Sequence, residues 1–212
     1  MFDLPNFWLF LLTSLLVNIT PGPDMLYTAA RSLSQGAKAG VVGAFGIFTG
    51  CLVHITAAVF GLSAVIANSA ALFTALKMAG AAYLIYLGAS TLLARRATEA
   101  PMGELQTLET MPLRTIFAQG FLTNLLNPKV AIFFLSFLPQ FVSPDSPLLR
   151  AQIALLGLWF DLQGLLMLCG VALLTGYFRE ALRRSPRFWR WQGKVTGGIL
   201  LWLGIKMAFL RR

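Results

Sequence analysis

Asn18-Ile-Thr-Pro-Gly-Pro-Asp24 cuts through an apolar run that extends from Leu4 to Ala30, and Asn124-Leu-Leu-Asn-Pro-Lys129 cuts through another that extends from Ile116 to Val142. A proline lacks an N–H and clashes with the turn before it, so each stretch frees backbone carbonyls from the helical ladder. Inside lipid no water satisfies them. Such a break persists in a spanning segment only where protein or a water-filled cavity covers the exposed backbone, and two breaks at matching positions point to a solute site between them. One proline kink alone needs no ligand; the pairing, with polar residues on both flanks, is what favours a site.

The rest of the chain justifies reading these runs as membrane spans. It is 57% hydrophobic and 12% charged, with a mean hydropathy of +0.73, whereas soluble domains carry roughly 25% charge. Crossing a hydrocarbon core of roughly 30 Å takes about 20 apolar residues, and six runs qualify: Leu4 to Ala30, Ala37 to Ala67, Ala70 to Ala94, Ile116 to Val142, Ala151 to Phe178 and Val195 to Leu210. The first run begins with Asp3 and no basic residue, so it is expected to stay as a helix rather than act as a cleaved signal. At about 1.5 Å per residue, a straight helix from Leu4 to Arg31 would overshoot the core, and Pro21-Gly22-Pro23 selects a break over tilt. Cys51 and Cys169 lie deep in apolar runs and read as core thiols.

Eleven of the seventeen basic residues fall in the connections after the first, third and fifth runs, from Arg31 and Lys38 through Arg95, Arg96 and Arg114 to the cluster between Arg179 and Lys194. The positive-inside bias then places these connections in the cytoplasm and both termini in the periplasm. The net charge of +9 reflects orientation and anionic headgroups of the lipid bilayer rather than nucleic acid, because no basic-aromatic groove accompanies it. Residues 95–114, with Glu99, Pro101, Gly103, Glu104, Glu109 and Pro112, suit a cytoplasmic linker. Phe188, Trp189 and Trp191 alternate with Arg187, Arg190 and Lys194 and suit an interfacial anchor.

The two halves resemble one another. An offset of 107 aligns Pro21 with Pro128, Gly50 with Gly157 and His54 with Asp161; an offset of 116 aligns Leu84, Leu87, Gly88, Arg95 and Arg96 with Leu200, Leu203, Gly204, Arg211 and Arg212. A three-span unit has its ends on opposite sides, so its duplication inverts the second copy. The expected fold is an all-α membrane protein of six transmembrane helices in two inverted three-helix repeats, residues 1–94 and 115–212 joined by the linker 95–114, with the first and fourth helices broken at the proline motifs.

A helix that restarts after a break presents free N–H groups and a positive dipole end, which hold a carboxylate; freed carbonyls receive an ammonium or a cation. An amino acid carries both groups. The candidate binding residues are Asn18, Thr20, Pro21, Gly22, Pro23 and Asp24 at one break and Asn124, Asn127, Pro128 and Lys129 at the other. Asp24 suits either capping or ammonium binding, Asn127 suits a helix cap, and Lys129 suits either a substrate carboxylate or a pairing with Asp24 or Asp161. His54 and Asp161 fall mid-run at equivalent positions. Histidine titrates near neutral pH and burial favours a neutral carboxyl, so the pair is expected either to exchange a proton or to form a polar contact between helices. Gly43, Gly46, Gly50, Gly157 and Gly164 allow helices to approach closely.

Pro21-Gly22-Pro23, Gly36-Ala-Lys-Ala-Gly40, Lys77-Met-Ala-Gly80-Ala-Ala-Tyr83-Leu84 with Gly88, and Gly120-Phe-Leu-Thr-Asn124-Leu-Leu-Asn127-Pro128-Lys129 resemble the lysine exporter and homoserine/threonine resistance family of amino-acid efflux proteins, over nearly the whole chain. The resemblance implies a six-span exporter of the bacterial inner membrane, driven by proton antiport, with its substrate site at the two breaks. His54, where a carboxylate is otherwise expected, suggests a neutral, homoserine- or threonine-like substrate. No enzyme activity, cofactor or resident metal is implied, and a homodimer stays open. Six-span thiol-disulfide electron carriers are the competing class, but they need cysteines in the first and fourth spans, where this chain has none. A metal exporter is disfavoured by a single histidine and scattered carboxylates.

Overall fold

The computed structural model describes residues 6–62, 110–143 and 145–177, together with single helical positions between 71 and 89. Most of the third run, the linker up to residue 109, the basic-aromatic segment after the fifth run and the whole sixth run lie outside the described residues. Among those described, regular structure is helical throughout, without strands. The helices are α1 (Phe7–Ile19), α2 (Pro23–Gln35), α3 (Ala37–Ala57), α4 (Leu113–Leu125), α5 (Pro128–Ile132) and α6 (Leu149–Tyr177). A π-helical turn, Ala58–Leu62, extends α3; a π-helical turn, Phe133–Phe137, and a 3-10 turn, Leu138–Phe141, extend α5.

Local chemistry sets these boundaries. Pro23 and Pro128 stand at the starts of α2 and α5, where a missing N–H costs nothing because the first turn has no acceptor for it. Gly36 ends α2 with φ of 88°, while its N–H still bonds the Ser32 carbonyl at 3.0 Å. A side chain is strained at that φ, so glycine makes the corner from which α3 departs. Among the described residues, two elements are individually long and apolar enough to cross a membrane: Ala37–Gly61 with 25 residues and α6 with 29. At 1.5 Å per residue the latter is roughly 43 Å long. The pairs α1 with α2, and α4 with α5 and its extension, pass the same test together but bend by 49° and 44°.

Burial follows the logic of a lipid-facing protein. Trp8, Leu126, Leu166, Leu174 and Tyr177 are exposed, while Thr13, Ser14, Thr28, Ser32, Asn124, Asn127 and Gln152 are buried. In water this arrangement would be costly on both counts. In a bilayer it puts hydrocarbon outside and polar groups where protein partners exist. Two apolar clusters pack the interior. The larger joins α1, α3, α5 with its extension, and α6 through Phe10, Phe133, Phe134, Phe137, Phe141 and Phe160; the Phe133 and Phe160 rings stack at 4.1 Å. The smaller contains Met25, Ala44, Ile47 and Leu168.

Backbone-to-backbone approach between α3 and α4 depends on glycine. A Cβ on Gly46 would collide with the Phe117 carbonyl, and one on Gly120 with that of Gly43. At Gly50 it would sit 2.6 Å from the Phe121 carbonyl and 3.1 Å from the Asn124 Cβ. Gly50→Ala is therefore expected to destabilise the protein by about 1–3 kcal/mol. Gly170, where nothing lies within 4 Å, is the control: Gly170→Ala should leave the thermal midpoint unchanged or higher. Equal midpoints for the two variants would show that the α3–α4 contact tolerates a side chain.

Candidate functional site

Between Ile19 and Pro23 the helical ladder is interrupted, and the carbonyls at the end of α1 look for donors. Lys129, from the other motif, supplies them: its Nζ donates to the Thr20 carbonyl at 3.0 Å and the Val17 carbonyl at 3.3 Å. A cation at a helix C-terminus is also favoured by the helix dipole. The service is returned. Asp24, in the first turn of α2, accepts from the Asn124 and Asn127 side-chain amides, both at 2.9 Å through Oδ2. Asn127 simultaneously caps α5 by accepting from the Lys129 backbone N–H at 3.0 Å. Each motif thus supplies hydrogen bonds to the other.

These bonds bear on several options that the residue types left open. Asp24 makes no side-chain capping bond to α2; its carboxylate reaches across to the second motif. Lys129 makes its hydrogen bonds to carbonyls, with Asp24 acting on it as a nearby charge, and forms no ion pair with Asp24 or Asp161. The Lys129 chain passes close to Gly22, where a Cβ would lie 3.1 Å from Nζ. The Thr20 and Val17 carbonyls are therefore already engaged by the protein's own ammonium group.

A cavity of about 30 Å³ lies where the two apolar clusters meet, walled by α1 to α6. Its polar lining comprises Asn18, Asp24, Asn124, Lys129 and Asp161, and its apolar lining includes Met25, Ile47, Phe48, Phe160 and Leu165. Asp24 Oδ1, Asn124 Oδ1 and Asp161 Oδ2 are buried with no hydrogen-bond partner. Three unused acceptors beside an apolar wall can receive an ammonium group and pack an aliphatic side chain. The volume fits roughly one or two water molecules.

Other candidates stand around this cavity. Asn18 donates from Nδ2 to the Phe160 carbonyl at 3.1 Å and contacts Gln163 Oε1 at 3.5 Å. The Thr20 hydroxyl returns to Leu16 in its own helix at 2.7 Å. Pro21, Gly22, Pro23, Asn127 and Pro128 shape the breaks without lining the cavity. His54 and Asp161 form no hydrogen bond with each other. The His54 Nε2 contacts the Asn124 carbonyl at 3.1 Å and its ring stacks on Phe134, whereas Asp161 neighbours the buried Cys51 thiol.

The sequence reading missed a polar seam between α2 and α4. Tyr27 donates to the Ile116 carbonyl at 2.7 Å, Arg31 to Gln119 Oε1 at 2.9 Å, and Gln35 exchanges two hydrogen bonds with the Met111 backbone at 2.9 and 3.0 Å. From Asp24 with Asn124 through Arg31 with Gln119 to Gln35 with Met111, the partners run in opposite chain order, so the two helices are antiparallel. Arg31, assigned from sequence to a charged connection, is inside α2 and only 5% exposed. The usable signal was periodicity: Asp24, Thr28, Arg31 and Gln35 recur at helical spacing on one face.

A family model described as LysE type translocator matches residues 15–211. The chain is 33% identical over 193 residues to the membrane protein YrhP of Bacillus subtilis (strain 168), covering 89% of this chain and 91% of that one. It is 32% identical over 203 residues to the homoserine/homoserine lactone efflux protein of Salmonella typhimurium (strain LT2), covering 95% of each. It is also 32% identical over 142 residues to the leucine efflux protein of Salmonella choleraesuis (strain SC-B67), covering 67% of this chain and 66% of the relative. No solved structure matches. A match over nearly the whole chain, joined to a helical, apolar structure, makes this protein a member of the LysE type translocator family.

Proposed function

We propose that the protein is a secondary transporter that exports neutral amino acids across the bacterial inner membrane by proton antiport with alternating access. The observation that carries this reading is the cavity at the meeting point of the two motifs, with unpartnered Asp24 and Asp161 oxygens, the Lys129 ammonium and an apolar wall. The substrate ammonium binds the carboxylates and its side chain packs on Met25, Ile47 and Phe48. The relatives named for leucine and homoserine efflux support a neutral substrate. Asn18, Thr20, Pro21, Gly22, Pro23, Asp24, Asn124, Asn127, Pro128 and Lys129 build the site, as direct contacts or as the shaped backbone beneath them.

His54 and Asp161 are the proposed proton-coupling residues. Asp161 does so from within the cavity, and His54 through Asn124, whose side chain binds Asp24. Because the cavity is too small for an amino acid, binding requires the halves to separate. Residues 1–94 and 115–212 are the proposed inverted repeats that rock about it, joined by residues 95–114, with both termini periplasmic. The antiparallel course of α2 and α4 supports first and fourth spans that cross in opposite senses, and removing Arg31 from the count leaves the basic excess on the same connections.

The test is efflux from proteoliposomes loaded with labelled amino acids, with and without a pH gradient, comparing wild type with Asp24→Asn and Pro128→Ala. Wild type should release a restricted set of neutral amino acids, faster with the gradient, and both variants should be slower. If no amino acid is transported, or neither substitution alters release, the site is misassigned.

A further inference from the structure

Arg31 is a buried cation whose bonding capacity is largely unspent. Its Nη2 donates to Gln119 Oε1 at 2.9 Å and lies 3.4 Å from the Met111 sulfur, and its guanidinium carbon sits 5.6 Å from the centre of the Tyr27 ring. The Nε and Nη1 nitrogens are buried with no hydrogen-bond partner, and among the described residues no carboxylate pairs with it. A guanidinium carries five N–H donors, and an uncompensated charge inside a membrane protein is costly. The neighbourhood supplies a ring face, an amide oxygen and a thioether, none of which neutralises it.

Arg31 also belongs to a continuous polar row. Positions 31 and 35 each fall within about 20° of position 24 on a helix of 3.6 residues per turn. Thr28 and Ser32 flank the row, each fully buried with an unpartnered hydroxyl. Unsatisfied groups therefore recur from the Asp24 carboxylate at the cavity to the C-terminal end of α2. Seven residues at 1.5 Å each separate the Asp24 and Arg31 backbones by about 10.5 Å along the axis.

We propose that Arg31 is a second binding station, specific for the carboxylate of the transported solute, on a route that runs along the buried face of α2 between the central cavity and the Gly36 corner. The carboxylate displaces the Met111 sulfur, a weak acceptor, and takes two parallel N–H bonds from the guanidinium. Gln119 holds the group in place, and Tyr27 supports its face. The proposal rests on the exporter reading for the identity of the solute.

The experiment uses acetate as the probe and needs no transport. Purified full-length protein in uncharged detergent is melted in sodium acetate and in sodium chloride of equal ionic strength, for wild type, Arg31→Met, Arg31→Lys and Asp24→Asn. Acetate at tenfold excess over its dissociation constant should raise the wild-type midpoint by about 3 °C. Arg31→Met should show no acetate response and melt at or above wild type in chloride, since an unpaired buried charge has gone. Arg31→Lys should respond less, lacking the planar fork, while Asp24→Asn should respond as wild type does. Equal acetate responses in wild type and Arg31→Met overturn the proposal, as does a loss of response confined to Asp24→Asn. A response to sulfate as large as that to acetate overturns the carboxylate assignment. An intact acetate response in a protein that transports no amino acid would sink the exporter reading and leave this site standing.

Discussion

Lys129→Met is expected to reduce amino-acid efflux by about a hundredfold or more and to lower stability by about 3 kcal/mol. The methionine keeps the length of the side chain and removes its charge. The Thr20 and Val17 carbonyls lose the donor that reaches them from the second motif, and the Asp24 carboxylate loses the cation that acts on it across the cavity. Two kinds of damage follow, one to the backbone at the break and one to the charge balance, and a double-mutant cycle separates them. Asp24→Asn combined with Lys129→Met should be milder than the sum of the single changes by about 1–3 kcal/mol, because the double variant leaves neither charge unpaired. Lys129→Arg should recover little transport, since the space beside Gly22 is fitted to a slender ammonium and a planar fork does not match it. Wild-type efflux from Lys129→Met would remove Lys129 from the site.

Asp161→Asn is expected to uncouple transport from the proton gradient. One pH unit stores about 1.4 kcal/mol per exchanged proton, enough to concentrate a neutral solute about tenfold. The asparagine keeps the shape and the position in the cavity wall but cannot bind and release a proton. Exchange of labelled for unlabelled amino acid should therefore persist, while the roughly tenfold accumulation driven by one pH unit disappears. Measuring exchange and gradient-driven accumulation in the same vesicles distinguishes this from a folding defect, which would remove both. Accumulation unchanged from wild type would exclude Asp161 from coupling.

The helical, apolar character of the chain was legible because the length of an apolar run and the lost donor of a proline are properties of a few consecutive residues. The helices end at Ile19 and Leu125, two and three residues before Pro21 and Pro128. The destination of the polar side chains was not legible in the same way. The freed carbonyls called for a cation, and sequence alone offered the substrate; only proximity in space shows that Lys129 reaches them first. His54 and Asp161 occupy corresponding positions in the two halves, yet correspondence under a repeat does not imply contact, and each engages a different neighbour. Arg31 was misplaced because counting basic residues near the end of an apolar run assigns them to connections. The continuation of α2 to Gln35 carries it back into the protein, on a face whose spacing was visible in the sequence.

Cross-completion of the two motifs also constrains how the molecule is made. When the first half leaves the ribosome, the carbonyl of Thr20 and the carboxylate of Asp24 enter the bilayer before Asn124, Asn127 and Lys129 have been synthesised. Unsatisfied groups of this kind are costly in lipid, so until the second half arrives the first must keep them near water or against the insertion machinery. The latch closes late, and it closes only when the second motif meets the first in the correct antiparallel register. Quality control during biogenesis is thus built into the same contacts that frame the cavity.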